Sequence, residues 1–375
     1  MAKYASAAVL LVGVLILAAC SPAAAPSAIP TPSATPTHPP TAAPSAEPTV
    51  LLPTATLTAT PTPTPQLITV ENAAQIAPLA TLNTGGAVNA LALDPHSARL
   101  AAAIEDGVVQ IWDVTLGALL MTLGDIDGTP YDVAFSLDGA TLAVGAANGQ
   151  GGSVTVWDAL SGDLLYSVPF DTAVASVDFR PDGAALAAGG SDGSLTLLDA
   201  HRGEVKAALD LRSAVWALAY THDGAMLVTA GEEGRIRYWD AISGEALYNG
   251  WVGHEAAVRA LAISADSLLL ASGGEDGAIK LYDLFTAHVL RVMSTPNTVL
   301  ALAFNPHATL LASGEADGTL RLWDVVLGTQ TAAWIGEHGS GGLRALAWSA
   351  DGGILLSAGG DGLIRLWRLP ATPSQ

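Results

Sequence analysis

Cysteine occurs once in this 375-residue chain, at Cys20, so no internal disulfide can form and the rest of the chain has no thiol for redox chemistry. Basic residues are also scarce. Lys and Arg total 15 against 35 Asp and Glu, a net charge of -20, which argues against an electrostatic grip on nucleic-acid phosphates. The acidity reads as a means of keeping a 50% hydrophobic chain soluble, with a basic partner as the functional alternative. There is no comfortable membrane span: the run from Ala7 to Leu17 falls short of the roughly 20 apolar residues a spanning helix needs. No G-x-S-x-G elbow, phosphate-binding glycine loop or H-E-x-x-H motif is present.

What the chain does contain is a repeat. Short apolar runs close at Trp112, Trp157, Leu198, Trp239, Tyr282, Trp323 and Trp367, with gaps of 45, 41, 41, 43, 41 and 44 residues. Such a period, of about 40 to 45 residues, corresponds to four short strands per unit. One unit reads as strands over 257–263, 268–272, 278–282 and about 289–292, separated by turn residues. Asp-Gly turns recur in the other units, as at Asp138-Gly139, Asp182-Gly183 and Asp361-Gly362, where Gly accepts the positive φ of a hairpin. First strands such as VNALAL, VWALAY and VRALAI are apolar on both faces, so both must be covered, as happens when small sheets stack around an axis.

The run endings VQIWD, VTVWD, IRYWD and LRLWD resemble the third-strand signature of the WD-repeat β-propeller family, over residues 78 to 369. The resemblance implies an all-β fold: a seven-bladed propeller of four-stranded antiparallel blades, spanning 66–370 with a short tail at 371–375. It also implies closure by an N-terminal strand, for which the stretch Pro78 to Leu82 is available to complete the unit ending at Trp367. Members often carry a buried hydrogen-bonded set of His, Ser or Thr, Asp and Trp in each blade. Here His254, Ser272 and Asp276 match one set, with Tyr282 in place of Trp, and His338, Ser357, Asp361 and Trp367 match another. Partial sets fall at Ser313, Asp317 and Trp323, and at Thr229, Glu233 and Trp239. His96, His222 and His307 occupy equivalent turns that radiate around a ring instead of converging, so neither a metal nor a cofactor is expected.

The front of the chain reads as an address. Lys3 and the following apolar run fit a secretory signal over 1–19, and Leu17-Ala18-Ala19-Cys20 resembles the lipobox of bacterial lipoproteins. That resemblance implies cleavage before Cys20 and a lipid on its sulfur; an uncleaved anchor or ordinary secretion are the alternatives, and each places the body outside the cytoplasm. Ser21 is not the Asp that in some bacteria retains lipoproteins in the inner membrane, so which membrane holds the anchor stays open. Residues 20–65 then form a tether, with 13 of the 22 prolines lying between 21 and 65. Chain of this composition extends at about 3.1 Å per residue and acts as a spacer.

Function is sought where the repeats differ. One residue in from each first-strand start stand Asn89, Tyr131, Ala175, Trp216, Arg259, Leu300 and Arg344. In the family this strand lines the central channel, and Tyr, Trp and Arg are enriched at binding hot spots. Asn89, Tyr131, Trp216, Arg259 and Arg344 are therefore the expected partner-binding residues, unless Trp216 packs between blades and the arginines serve local carboxylates. The leading expectation is a non-enzymatic, monomeric protein-interaction platform tethered to a membrane on its extracytoplasmic side. The alternative is an extracytoplasmic enzyme or small-ligand binder that uses the channel mouth, betrayed by carboxylates and His converging there.

Overall fold

A computed structural model of the chain describes residues 66–370. The expected leader over 1–19, Cys20 with its tether to residue 65, and the tail from 371 lie outside the described residues. Among the described residues the strands form seven separate four-stranded antiparallel sheets, joined by turns and two single 3-10 turns. Blade 5 shows the plan. Its inner strand Val258–Ile263 pairs with Leu269–Gly274, then Ala278–Asp283, then the outer strand Val289–Ser294. These bounds lie within a residue or two of the segments expected from sequence.

The seven inner strands contact one another in order around the axis, and that of blade 7, Leu343–Trp348, returns against that of blade 1, Val88–Leu93. Closure uses the N-terminal stretch: Ala77–Asn83 pairs antiparallel with Leu363–Arg368 as the outer strand of blade 7. The cores lie between blades, which explains the doubly apolar strands. Ile279 and Leu281 of blade 5, for example, pack with Leu311 and Trp323 of blade 6. Each fully buried side chain of this size contributes about 1.5–3 kcal/mol, and Ala keeps the inner strands thin enough to converge.

Blade 2 is the irregular unit. Its middle strands, Thr141–Asn148 and Gly151–Asp158, run eight residues each and turn through Gly149-Gln150 in place of an Asp-Gly pair. The extra length accounts for the 45-residue gap before Trp157.

Two blades carry a complete relay from the third strand to the second turn, or nearly so. In blade 7, Trp367 Nε1 donates to Ser357 Oγ at 2.8 Å, Ser357 pairs with His338 Nε2 at 2.8 Å, and His338 Nδ1 with Asp361 at 3.0 Å. In blade 5, His254 bonds Ser272 at 2.6 Å and Asp276 at 2.9 Å, while Tyr282 fills the Trp position fully buried. Burial pushes both histidines below their ordinary pKa, against the pull of Asp276 and Asp361. Blade 6 uses Asn297 where the relay has His: its Nδ2 donates to Asp317 at 2.8 Å, beside the Trp323–Ser313 bond of 2.9 Å. In blade 4 the Trp239–Thr229 bond forms at 2.9 Å, but Glu233 turns away to Arg237. The longer Glu side chain reaches a cation instead of the turn.

Candidate binding site at the mouth of the central channel

Every inner strand carries one irregularity, always in the same place. The pairing register slips between Val88 and Ala90, and at the equivalent points of the other six blades. The residue at each slip is Asn89, Tyr131, Ala175, Trp216, Arg259, Leu300 or Arg344. A β-bulge leaves its extra residue outside the ladder and re-aims its side chain, which here is toward the axis. In blades 3, 4, 5 and 7 the facing strand makes room by ending in Gly. A Cβ on Gly231 would stand 1.7 Å from Ala214 O, and one on Gly359 would stand 1.9 Å from Gly342 O.

All seven bulge residues line one cavity of about 550 Å³ at the mouth. They also form the upper wall of a channel of about 500 Å³ below it. Tyr131 is the most open of them, at 47% exposed. Arg259 lies 4.8 Å from the centre of the Trp216 ring and donates to Glu275 at 2.8 and 2.5 Å. Arg344 donates to Asn89 Oδ1 at 2.7 Å, Gly341 O at 3.1 Å and Glu105 at 3.2 Å. Asn89 in turn donates to Pro130 O at 3.0 Å. Both arginines therefore have local carboxylates, as the second reading of the sequence allowed. Exposed pairs of this kind contribute at most about 1 kcal/mol, so they orient the guanidinium groups more than they stabilise the blades. Trp216 belongs to the mouth and to none of the interblade cores.

Sequence reading missed what lies deeper. At the third inner-strand position the blades carry Ala, except for Asp132 and Ser176, and at the fifth they carry Ala except for Asp178. The column itself was the available signal. Asp132 Oδ2 accepts from Ser176 Oγ and Val177 N, each at 2.9 Å, and Asp178 Oδ2 accepts from Tyr220 N at 2.8 Å. Each carboxylate thus reaches across to the next blade. Burial in the channel wall pushes Asp132 up to about 6 against these hydrogen bonds. It pushes Asp178 up to about 7, and the Asp132 charge adds to that shift. No His lines the channel, and among the described residues no three His, Cys, Asp or Glu side chains come together to hold a metal.

A raised carboxyl pKa means that the folded state holds a proton the unfolded state releases. Stability contributed by Asp178 is therefore present near pH 4 and is lost as pH rises toward about 7. Allowing for water in the channel, D178N is expected to gain about 2 kcal/mol at pH 8 and far less at pH 5. Urea unfolding at the two pH values checks this; an equal change at both would contradict it.

The family model described as WD domain, G-beta repeat, matches residues 77–113, 162–199, 203–240, 246–283, 286–324 and 329–368. The unmatched stretch between the first two segments contains the irregular hairpin of blade 2. No curated protein matches the chain.

Proposed function

The chain belongs to the WD-repeat family, and from that premise we propose that it is a non-enzymatic protein-interaction platform. It is held on the extracytoplasmic side of a membrane by a lipid on Cys20 and binds a protein partner at the channel mouth. The WD-repeat propeller fits an interaction platform in general. The observation that carries the finer reading is the ring of bulges. Seven side chains released from the ladder converge on one cavity, and they include Trp216, Tyr131, Arg259 and Arg344. The indole N–H of Trp216 is buried and has no acceptor within the fold.

The small-ligand reading draws its support from Asp132 and Asp178. Ser176 stands beside Asp132, but no His lines the channel to serve as base, and the seven bulge residues at the mouth favour a broad partner face, so the platform is the stronger reading. For the membrane, the support is the short apolar run ending in Leu17-Ala18-Ala19-Cys20. Among the described residues no helix is long and apolar enough to cross a bilayer.

Affinity capture from the protein's own membranes tests the mouth. W216A/R259A is expected to weaken capture at least tenfold while leaving the melting temperature within a few degrees, because neither side chain belongs to an interblade core. Equal recovery of the partner by variant and wild type would remove the mouth from consideration. Mass spectrometry of the N-terminal peptide tests the anchor independently.

A further inference from the structure

The face opposite the mouth has its own repeated feature. Wherever a third strand ends in Asp, that carboxylate folds the following turn by accepting backbone N–H groups two and three residues on. Asp158 takes those of Leu160 and Ser161, Asp240 those of Ile242 and Ser243, and Asp324 those of Val326 and Leu327. With the carboxylate turned inward to the chain, the next side chains project outward. In five blades one of these is large and apolar: Leu116, Leu160, Ile242, Phe285 and Val326 are between 64% and 80% exposed. In blade 3 the same turn, folded by Asp199, presents His201 and Arg202. Antiparallel alternation puts all six turns on one face of the ring, toward its outer edge.

Large apolar side chains repeated at one equivalent position on one face set this ring apart from the single scattered exposures that need no explanation. Their arrangement indicates which kind. A protein interface gathers its anchors into a contiguous, desolvated centre, whereas these tips stand apart, one per blade, around a disc. Separate shallow tips in one plane suit a fluid, flat surface, as interfacial side chains do in peripheral membrane proteins. The chain also enters the ring on this face. Ile68 N donates to Gly352 O at 3.1 Å, and Leu67 lies against Gly352, close to Pro306 and His307, in the first turns of blades 6 and 7. Leu67 and Ile68, near the start of the described residues, therefore lie on the same side as the tips.

We infer that the ring of third-turn tips docks on the lipid surface, so that the propeller rests on the membrane with its channel mouth facing away. This inference rests on the reading of Cys20 as an anchor. The tether supplies a high effective concentration, so a contact too weak to recruit free protein suffices to orient a tethered one. With a net charge of -20 the docking is apolar and does not depend on anionic lipid. Arg202 adds a donor for headgroup phosphates.

The test uses the chain from residue 20 onward, with a synthetic lipid coupled to Cys20, in vesicles of phosphatidylcholine and phosphatidylethanolamine. Hydrogen exchange is compared with that of the same protein in detergent-free solution without the lipid. Exchange across 114–117, 159–162 and 284–287 is expected to slow at least threefold on vesicles, and exchange across 232–234 and 275–277 to stay unchanged. L116S/L160S/I242S/F285S is expected to lose the protection while keeping its melting temperature. Uniform exchange on both faces, or protection of the mouth turns, would overturn the inference. So would protection that appears on concentrating the unlipidated chain without vesicles, which would identify a second copy as the occupant. Because the lipid is coupled chemically, an unmodified native Cys20 would defeat the anchor reading and leave this result standing on its own.

Discussion

Deleting residues 77–83 is expected to abolish the cooperative unfolding transition of the domain. This strand is the last in space though the first in sequence, and it covers the edge of Leu363–Arg368. Without it, Leu82 no longer packs against Ile364 and Leu366, and a row of ladder groups opposite residues 363–368 opens to water. Each lost hydrogen bond costs about 0.5–1.5 kcal/mol and each lost apolar side chain about 1.5–3 kcal/mol, against a usual net stability of about 5–15 kcal/mol. The bare edge is also a template for pairing between chains. A thermal melt of the deletion variant should therefore be broad and shifted well down, with aggregation on heating. Adding a peptide of residues 77–83 should partly restore it, since the groove left behind is pre-formed. An unchanged melt would mean that the ring closes by another strand.

Gly359→Ala is expected to be nearly as damaging from a single methyl group. The built Cβ falls 1.9 Å from Gly342 O, and that oxygen belongs to backbone that cannot swing aside as a side chain would. Relieving the clash means separating the two strands at the bulge of blade 7, for a loss of about 3 kcal/mol or more. Gly183→Ala supplies the comparison. Gly183 has a φ of 70° and open space around it, so its penalty is the conformational one of about 1 kcal/mol. Urea unfolding of both variants separates close approach from turn geometry; similar losses would show that the bulge can relax.

The scaffold was legible because its signals are local and repeated. Seven run endings predicted seven blades, and the exceptions at Leu198 and Tyr282 did no harm. Both are fully buried, and the position asks for apolar volume between blades before it asks for an indole. The turns were legible for the same reason, since Asp-Gly encodes its own backbone. Blade 2 was countable from Trp157, although its hairpin lacks that turn. The site was legible only as a list of positions. That Arg344 turns to Glu105, 239 residues away, depends on the ring having closed, and no local pattern carries it. Asn297 escaped notice in blade 6 because the expected residue was His, although an amide makes the same bond to Asp317. Glu233 looked like a substitute for Asp but has a neighbouring cation to prefer. Asp132 and Asp178 were missed, because they differ from their neighbours only as departures from columns of Ala, visible when the seven inner strands are laid side by side.

The bulges have one more consequence. A residue that sits outside the ladder holds no sheet together, so it can be exchanged without a debt to the neighbouring strands. In most proteins the side chains that choose a partner also help to hold the fold, and changing the choice risks the shape. Here the two duties fall mostly on different residues, with Asn89 and Arg344, which bond across blades, as the exceptions. Asn89 with Arg344 and Trp216 with Arg259 are coupled pairs, so Ala175 and Leu300, the two plainest positions, are where a new specificity could be written first.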